Sequence, residues 1–436
     1  MSDFDLIIRN AINLPAIGIS DGKIAALHDG SAREEIDATD LHIFPGVIDA
    51  HVHFNEPGRA EWEGLATGSK ACAAGGTTTF FDMPLNAHPP TIDGESFDQK
   101  RAAAESQSFV DFALWGGLVP SNLDQLETLH DRGVIGLKAF MANSGIEDFA
   151  SVDLKTLHEG IKRAAACGLI VAVHAESEEI TRELSVAKMS AGKTSVRDYL
   201  DSRPIDAELA AIRSAIDFAG ETGCALHVVH VSSAAGVALV VEARARGVDV
   251  TCETCPHYLV LMDEDMEKLG PVAKCAPPLR SENERQQLLN KVRSGEITTI
   301  GSDHSPSPWA MKTDANFFKV WGGISGAQHL LALLFDLGLD PTLLAKLTAA
   351  NVADRFHVAK KKGRIAVGCD ADFVLVDRRS ETKITRETLH YKHQHTPYLG
   401  RTLRGKIVRT ILRGQTVALD GKLIGAPRGR LLTPDS

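Results

Sequence analysis

The chain has 436 residues, of which 44% are hydrophobic and 24% charged, a composition typical of a globular protein rather than a disordered or fibrous one. Its formal charge of −10 argues against nucleic acid or an anionic membrane surface as the main partner. No apolar run approaches the roughly 18 residues of a transmembrane helix, and MSDFDLIIRN lacks the pattern of a signal peptide. The seven cysteines show no disulfide framework. We therefore expect a cytoplasmic protein with reduced thiols.

The two ends of the chain share one pattern. Short strand-like runs separated by Gly, Asn and Asp occur in residues 1–45, as in FDLIIRN and GISDGKIAAL. The same pattern returns in residues 356–436, as in ADFVLVD and KIVRTILRG. We therefore predict that residues 1–45 and 356–436 form one small composite β domain, a β-sandwich built from both termini.

A different pattern fills residues 46–355. Apolar runs of about four to eight residues alternate with longer helical stretches such as residues 205–222, which Gly223 ends. This alternation predicts an α/β protein in which eight parallel strands, each followed by a helix, form a (β/α)8, TIM-like barrel. The eight predicted strands are 43–54, 77–84, 110–117, 134–142, 169–176, 225–233, 248–257 and 298–305.

Polar side chains interrupt these apolar strands near their C-terminal ends, where barrel enzymes carry their catalytic groups. Strand 1 ends in His51 and His53, which strand alternation places on one face. The other polar residues in such positions are Lys138, His174, His230 and Asp303. Imidazoles and a carboxylate that converge at one barrel mouth predict a metal site.

Lys138 is the least expected member of this set, because an apolar strand disfavours an ammonium and burial shifts lysine toward the neutral amine. A neutral amine can take up CO2 and become a carbamate, which offers two carboxylate oxygens. Such a group is suited to bridging two divalent cations about 3.5–4 Å apart, which can together ionise one water at neutral pH.

Two histidine pairs have simpler interpretations. His227 and His230 lie three positions apart, so on a regular strand only one of them can face the barrel interior. His393 and His395 repeat the His-x-His pattern in the polar stretch YKHQHTPY, which predicts surface residues.

Together these motifs resemble the amidohydrolase superfamily, specifically its cyclic amide hydrolases. The resemblance rests on DAHVHFNEPG, LKAFMA, HVVHVSS and GSDHSP, and on NVADRF with KGRIAVGCDADFVLVD near the return to the small β domain. It implies a homotetrameric hydrolase with two divalent ions, zinc above all, with cobalt, manganese or nickel as alternatives. In the family pattern one ion is held by His51, His53 and Asp303, the other by His174 and His230, and N6-carboxylated Lys138 bridges them.

Three substrate groups compete within this family: allantoin, dihydroorotate, and hydantoins or dihydropyrimidines. Dihydroorotases carry an arginine two positions after the histidine pair to bind the substrate carboxylate, whereas this chain has Asn55 there and Arg59 four positions later. Hydantoinases place a tyrosine at the position of Asn143. Residues 55–64, 82–91 and 319–328 resemble allantoinases instead.

The resemblance therefore implies hydrolysis of the hydantoin ring of allantoin to allantoate in purine catabolism. The alternatives are a hydantoinase or dihydropyrimidinase and, in another class, a non-catalytic scaffold of the same fold. Asp303 would take a proton from the attacking water and return it to the departing ring nitrogen. Segment 305–323, rich in Pro and Gly and carrying the bulky Trp309, is a candidate lid. The neutral ureido arm of allantoin suits amide and hydroxyl side chains, and the candidates are Asn86, Asn143, Ser144 and Ser305.

Overall fold

The computed structural model describes residues 2–435, and its strands fall into three groups along the chain. The N-terminal strands are β1 (Phe4–Ala11), β2 (Leu14–Ser20), β3 (Lys23–Ala26), β4 (Ala32–Asp37) and β5 (His42–Pro45). The central strands are β6 (Val47–Val52), β7 (Thr77–Asp82), β8 (Asp111–Leu114), β9 (Gly116–Gly117), β10 (Leu137–Phe140), β11 (Val171–His174), β12 (Leu226–Val228), β13 (Val250–Thr254) and β14 (Thr299–Ile300). The C-terminal strands are β15 (Phe373–Lys383), β16 (Thr402–Leu412), β17 (Gln415–Leu419) and β18 (Lys422–Leu423).

Helices follow the central strands in alternation, as the hydrophobic pattern predicts. They are α1 (Leu65–Ala74), α2 (Gly94–Gln107), α3 (Leu126–Arg132), α4 (Leu154–Ala166), α5 (Glu178–Ser190), α6 (Val196–Asp201), α7 (Ile205–Thr222), α8 (Ala234–Ala245), α9 (Pro256–Val260), α10 (Asp263–Leu269), α11 (Glu282–Arg293), α12 (Leu330–Asp336), α13 (Pro341–Ala345) and α14 (Asn351–Arg355). Helix α7 ends at Gly223, whose φ of 71° is left-handed, as expected for a glycine that ends a helix. Among residues 2–435, no helix combines the length and apolarity that crossing a membrane requires.

The central strands close into a parallel barrel, and the predicted fold class is confirmed. One sheet has the order β6-β7-β8 and the other the order β9-β10-β11-β12-β13-β14. A parallel bridge between Val52 and His304 joins the first strand to the chain just after the last one. Only Trp115 separates β8 from β9, so the two pieces together are the third of the eight predicted strands.

The barrel interior is filled by side chains rather than open. Ile48, Phe81, Trp115 and Ala172 belong to one buried cluster with Phe356. The Phe356 ring lies 5.4 Å from Phe81 and 5.3 Å from Trp115, both edge-on. Because apolar packing fills this part of the interior, the polar groups that follow the strands are gathered at one end.

The two termini build the small β domain together. Strands β3-β2-β1-β4 form one sheet and β18-β17-β16-β15-β5 the other, and a shared apolar core lies between them, including Ile8, Ile17, Phe373 and Ile411. Strand β5 pairs antiparallel with β15, so the second sheet contains strands from both termini. The chain after β18 runs back to the barrel, where the Phe112 amide donates to the Arg430 carbonyl over 3.0 Å.

A buried ion cluster links the barrel to the small domain. The Lys362 ammonium lies 2.6 Å from Asp111 in β8, 2.9 Å from Asp370 and 2.7 Å from Asp372, and Arg413 also pairs with Asp111. The three carboxylates are close enough to form a cation site, and the Lys362 ammonium is the cation that they bind.

Candidate metal centre

Three of the predicted ligands meet where the first and last barrel strands end. His51 is in β6, His53 follows it by two positions, and Asp303 lies three residues after β14. Asp303 Oδ1 is 3.2 Å from His51 Nε2 and 3.5 Å from His53 Nε2. One ligand atom from each residue lies within 4.8 Å of the others, a spacing that suits one cation.

Two further predicted ligands, His174 and His230, form a neighbouring pair. His174 Nδ1 is 3.1 Å from His230 Nε2, and both side chains are buried. The His230 ring lies 5.4 Å from that of His51, so the two groups of ligands share one pocket. Burial lowers the pKa of His53, His174 and His230, which favours the neutral imidazole that a metal requires.

The prediction that only one of His227 and His230 faces the barrel interior is wrong. Strand β12 ends at Val228, and His230 has a left-handed φ of 41°, so regular strand alternation no longer applies at that position. His230 therefore joins the ligand cluster, while His227 Nε2 lies 4.0 Å from the buried Glu253 carboxylate. The His227 ring lies 5.3 Å from that of Phe356 in the barrel interior.

Four residues around the site have a left-handed backbone conformation. Asp303 has φ 46° and His230 φ 41°, and both Asn55 and Asn86 have φ 65°. Left-handed backbone is uncommon at residues other than glycine, and six further described residues outside the site also adopt it. These turns end the strands early and direct the ligands into the barrel mouth.

Lys138 lies in β10 with a relative exposure of 0%. Its Nζ has no hydrogen-bond partner among the described residues and lies 5.0 Å from the Phe140 ring, which stacks on His174 at 4.6 Å. Burial lowers the pKa of Lys138 to about 7. An unpaired buried amine beside the ligand histidines has the properties that carbamate formation requires.

Two buried glutamates, which the sequence analysis did not identify, orient one histidine in each group. Glu253 Oε1 accepts a hydrogen bond from His51 Nδ1 over 2.8 Å, and Glu176 Oε2 accepts one from His174 Nε2 over 2.8 Å. Arg203 in turn holds Glu176 through two hydrogen bonds. Each hydrogen bond keeps the ring proton on the outer nitrogen, so His51 Nε2 and His174 Nδ1 remain unprotonated and can act as ligand atoms.

The charges around these glutamates keep them ionised. Burial alone would raise the pKa of Glu253, but the facing His51 and His227 rings lower it to about 2. Burial is likewise outweighed at Glu176, where Arg203 and His174 lower the pKa to about 2. The only sequence signal for Glu253 is a glutamate inside the otherwise apolar strand VTCETC.

The residues present fit a divalent metal. Four buried imidazoles, one carboxylate and an unpaired lysine amine provide the nitrogen and oxygen donors typical of zinc and related transition metals. The carboxylates that bind the outer nitrogens of His51 and His174 complete the pattern of a supported metal site.

A cavity of about 500 Å³ opens above the ligands, a size suited to a small molecule. All four side chains predicted to contact substrate line it: Asn86, Asn143, Ser144 and Ser305. Asn86 Nδ2 and Ser305 Oγ are 3.5 Å apart, while Ser144 Oγ donates to the Phe149 carbonyl over 2.6 Å. Asn143 and Ser144 thus also stabilise their own loop.

Arg59 is engaged elsewhere and does not line the cavity. Its guanidinium donates to the carbonyls of Asn86 and Ala87 over 3.2 and 3.1 Å and pairs with Asp148 at 3.3 Å. Asn55, at the position where dihydroorotases have their arginine, is buried with its amide near the Pro306 carbonyl. Neither residue therefore presents a guanidinium to a substrate carboxylate.

The second His-x-His pair departs from the prediction of surface residues, because His393 and His395 are half-buried. His393 Nε2 donates to the Glu61 carbonyl over 2.8 Å, and the His395 ring lies 5.6 Å from Trp309. Burial lowers the pKa of His395 to about 4. Trp309 itself is 52% exposed and is not part of the cavity lining.

Comparison with known proteins agrees with this geometry. A curated allantoinase of Rubrobacter xylanophilus is 53% identical, over 100% of this chain and 98% of that protein. One from Deinococcus radiodurans is 49% identical, over 99% of each. Among solved structures, an L-hydantoinase (dihydropyrimidinase) from Arthrobacter aurescens has a TM-score of 0.95 and 34% identity, covering 99% of this chain and 100% of that one.

The match is also seen at the level of the family. The family model described as "Amidohydrolase family" matches residues 42–417, a range that includes the whole barrel and every predicted ligand. With this match and full-length relatives at 49–53% identity, the chain belongs to the amidohydrolase family.

Proposed function

We propose that the protein hydrolyses the hydantoin ring of allantoin to allantoate, a step of purine catabolism. The observation that carries this proposal is the identity of 53% with a curated allantoinase over the full length of the chain. The position at which dihydroorotases carry their arginine supports the same substrate, because Asn55 has no guanidinium and Arg59 is hydrogen-bonded elsewhere. Allantoin is neutral and needs no guanidinium.

We propose that His51, His53 and Asp303 hold one divalent ion, that His174 and His230 hold a second, and that both are zinc, with cobalt, manganese or nickel as alternatives. When bound, such ions ionise water at neutral pH and polarise a carbonyl oxygen. The short distances within each ligand group support this division.

Lys138 would be N6-carboxylated and would bridge the two ion positions. In that reaction the neutral amine adds to CO2, an N–C bond forms and one proton leaves, giving a carbamate with two ligand oxygens. The buried Nζ without a hydrogen-bond partner supports this assignment, since a buried polar group is normally satisfied.

Asp303 would move the proton that ring opening requires. Its carboxylate lies beside His51 and His53, lines the cavity and is 14% exposed, so a substrate can reach it. The carboxylate accepts a proton from the attacking water and donates it to the ring nitrogen as the C–N bond breaks. Without that proton, the departing amide nitrogen is a poor leaving group.

The remaining contacts are assigned to neutral groups. Asn86, Asn143, Ser144 and Ser305 would hydrogen-bond the ring and the ureido arm, since each lines the cavity and can donate and accept. We also propose that residues 46–355 form the catalytic barrel unit and that residues 1–45 plus 356–436 form the second unit.

We further propose a homotetramer in the cytoplasm. The seven unpaired cysteines support a reducing compartment. Light scattering during gel filtration tests the assembly, because a tetramer has about four times the chain mass of 46.9 kDa.

The function is tested by measuring ring opening after reconstitution with bicarbonate and a divalent metal. Allantoin, hydantoin and dihydroorotate are compared side by side, with Asp303→Asn as the inactive control. We expect a strong preference for allantoin. Preference for hydantoin would favour the dihydropyrimidinase alternative. If the metal-loaded protein hydrolyses none of the three substrates, the proposal is contradicted and a scaffold is favoured.

The carbamate is tested separately with Lys138→Ala. We expect this variant to lose activity and to regain part of it when a small carboxylic acid is added, because the acid can occupy the bridging position. Full activity without any supplement would show that the carbamate is irrelevant.

A further inference from the structure

Two buried lysines that are not predicted metal ligands bind one stretch of main chain, and one of them, Lys274, also lines the cavity. Lys274 is 4% exposed and Lys312 is 1% exposed, and residues 317–323, which we call the wall segment, provide most of their partners. Lys274 Nζ donates to the carbonyls of Phe317 (2.6 Å), Phe318 (3.3 Å) and Val320 (2.5 Å). Lys312 Nζ donates to those of Trp321 (3.1 Å), Gly323 (3.0 Å) and Pro271 (3.2 Å).

These lysines are costly to keep in place. Burial lowers the pKa of Lys274 to about 7 and that of Lys312 to about 8, which reflects the penalty for removing an ammonium from water. A methionine would fill a similar volume without that penalty. What a methionine cannot do is bind carbonyl oxygens, so the hydrogen bonds explain the lysines.

The wall segment has particular need of such partners. It forms no helix or strand, so its carbonyls have no ladder of backbone hydrogen bonds, and buried carbonyls must be satisfied in some other way. Val320, Trp321, Gly322 and Gly323 nevertheless line the cavity above the metal ligands. The two ammoniums therefore take the place of secondary structure in shaping one side of the cavity.

The wall segment also contacts the strand end that carries Asp303. The Gly323 amide donates to the Lys274 carbonyl over 2.7 Å, and the Ser305 amide donates to the Ile324 carbonyl over 3.0 Å. A Cβ on Gly323, whose φ is 139°, would lie 2.1 Å from the Ser305 carbonyl oxygen. Asp303 is two residues before Ser305, so the wall segment lies beside the strand end that carries the proton-transferring carboxylate.

We propose that Lys274 and Lys312 are positioning residues that hold the wall segment against the cavity, so that the substrate is enclosed beside Asp303. The identity of that substrate rests on the proposed function, whereas the anchoring of the wall does not. Because neither ammonium is assigned a contact with the reacting atoms, loss of either lysine should raise KM about tenfold and lower kcat less than about threefold.

Amide hydrogen exchange measured by mass spectrometry tests the anchoring directly. Lys274→Met and Lys312→Met are compared with Lys268→Met, a control that loses an ammonium whose side chain is 65% exposed. We expect exchange about tenfold faster than in the wild type in peptides that cover the wall segment, with the barrel strands unchanged. The control should exchange and turn over substrate as the wild type does.

Unchanged exchange of the wall segment in both methionine variants would overturn the proposal, as would faster exchange spread over the whole barrel. If neither variant folds, wild-type exchange decides the matter. The amides of Phe317, Trp321 and Gly323 are hydrogen-bonded and should be protected, and exchange as fast as in the exposed residues 313–315 would contradict the anchoring. A protein that prefers hydantoin would refute the proposed function and leave the exchange result standing.

Discussion

Replacement of Glu253 by glutamine should weaken one of the two ion positions and leave the other intact. Glu253 is 1% exposed and accepts a hydrogen bond from His51 Nδ1 over 2.8 Å. Glutamine has nearly the same shape as glutamate but carries no charge. Loss of such a carboxylate behind a ligand histidine lowers metal affinity about 10–100-fold, which corresponds to about 1.4–2.7 kcal/mol. His174 relies on Glu176 instead, so the second ion should be retained.

The assay is equilibrium dialysis of the chelator-stripped protein at graded free zinc, with bound metal counted by mass spectrometry. We expect Glu253→Gln to bind one ion with wild-type affinity and the other about 10–100-fold more weakly. Glu208→Gln is the matched control, because Glu208 is equally buried and binds Ser232 and Ser233 rather than a histidine.

Two results would refute this reasoning. If Glu253→Gln binds both ions as the wild type does, the carboxylate does not support His51 as a ligand. If Glu208→Gln loses metal to the same extent, the effect comes from disturbing a buried carboxylate in general and not from the contact with His51.

Three further predictions concern single residues. Asp303→Asn should retain the fold and lose about 100- to 10,000-fold in kcat through loss of proton transfer; a variant with activity reduced only tenfold, measured beside its circular dichroism spectrum, would contradict that role. Lys362→Met should lower the free energy of unfolding by about 3–5 kcal/mol, because it removes the ion-pair partner of the buried Asp372 carboxylate and one of the two partners of Asp111. Urea denaturation checks this, and a change no larger than that of the half-exposed control Lys361→Met would contradict it. His329→Gln should reduce the loss of stability in acid, since burial lowers the pKa of His329 to about 3. The unfolded chain therefore binds this proton first. The contribution of the neutral ring is fully present above about pH 6.5 and is lost as the pH falls from there toward about 3, by up to about 1.4 kcal/mol per pH unit. An unfolding free energy with the same pH dependence in His329→Gln as in the wild type would contradict this.

Much of the fold could be predicted because its signals are local. Apolar runs ending in histidine mark the barrel strands, and strand geometry alone places His51 and His53 together. The prediction failed where the backbone leaves that geometry: the left-handed φ of His230 brings His230 to the site despite its spacing from His227. No residue pattern in the sequence predicts the left-handed turn at His230.

Residues that act through long-range contacts were also missed. Glu253 and His51 are 202 positions apart, and nothing near Glu253 in the sequence indicates a histidine partner. Lys274 and Lys312 look like ordinary surface lysines in the sequence, because their burial depends on carbonyls of a loop whose path only tertiary structure defines. Such residues can be identified only in the folded structure, whereas ligands at strand ends can be predicted from the periodicity of the sequence.

The pairing of β5 with β15 has a consequence for biosynthesis. Strand β15 begins 328 positions after β5 ends (373 − 45), and at about 5–20 residues per second a ribosome needs roughly 15 to 65 seconds to make that stretch. Throughout this interval the apolar edge of β5, with Ile43 and Phe44, has no partner, and an open edge strand readily pairs with other chains. Until the C-terminal strands emerge, this edge is therefore a site at which newly made chains can aggregate.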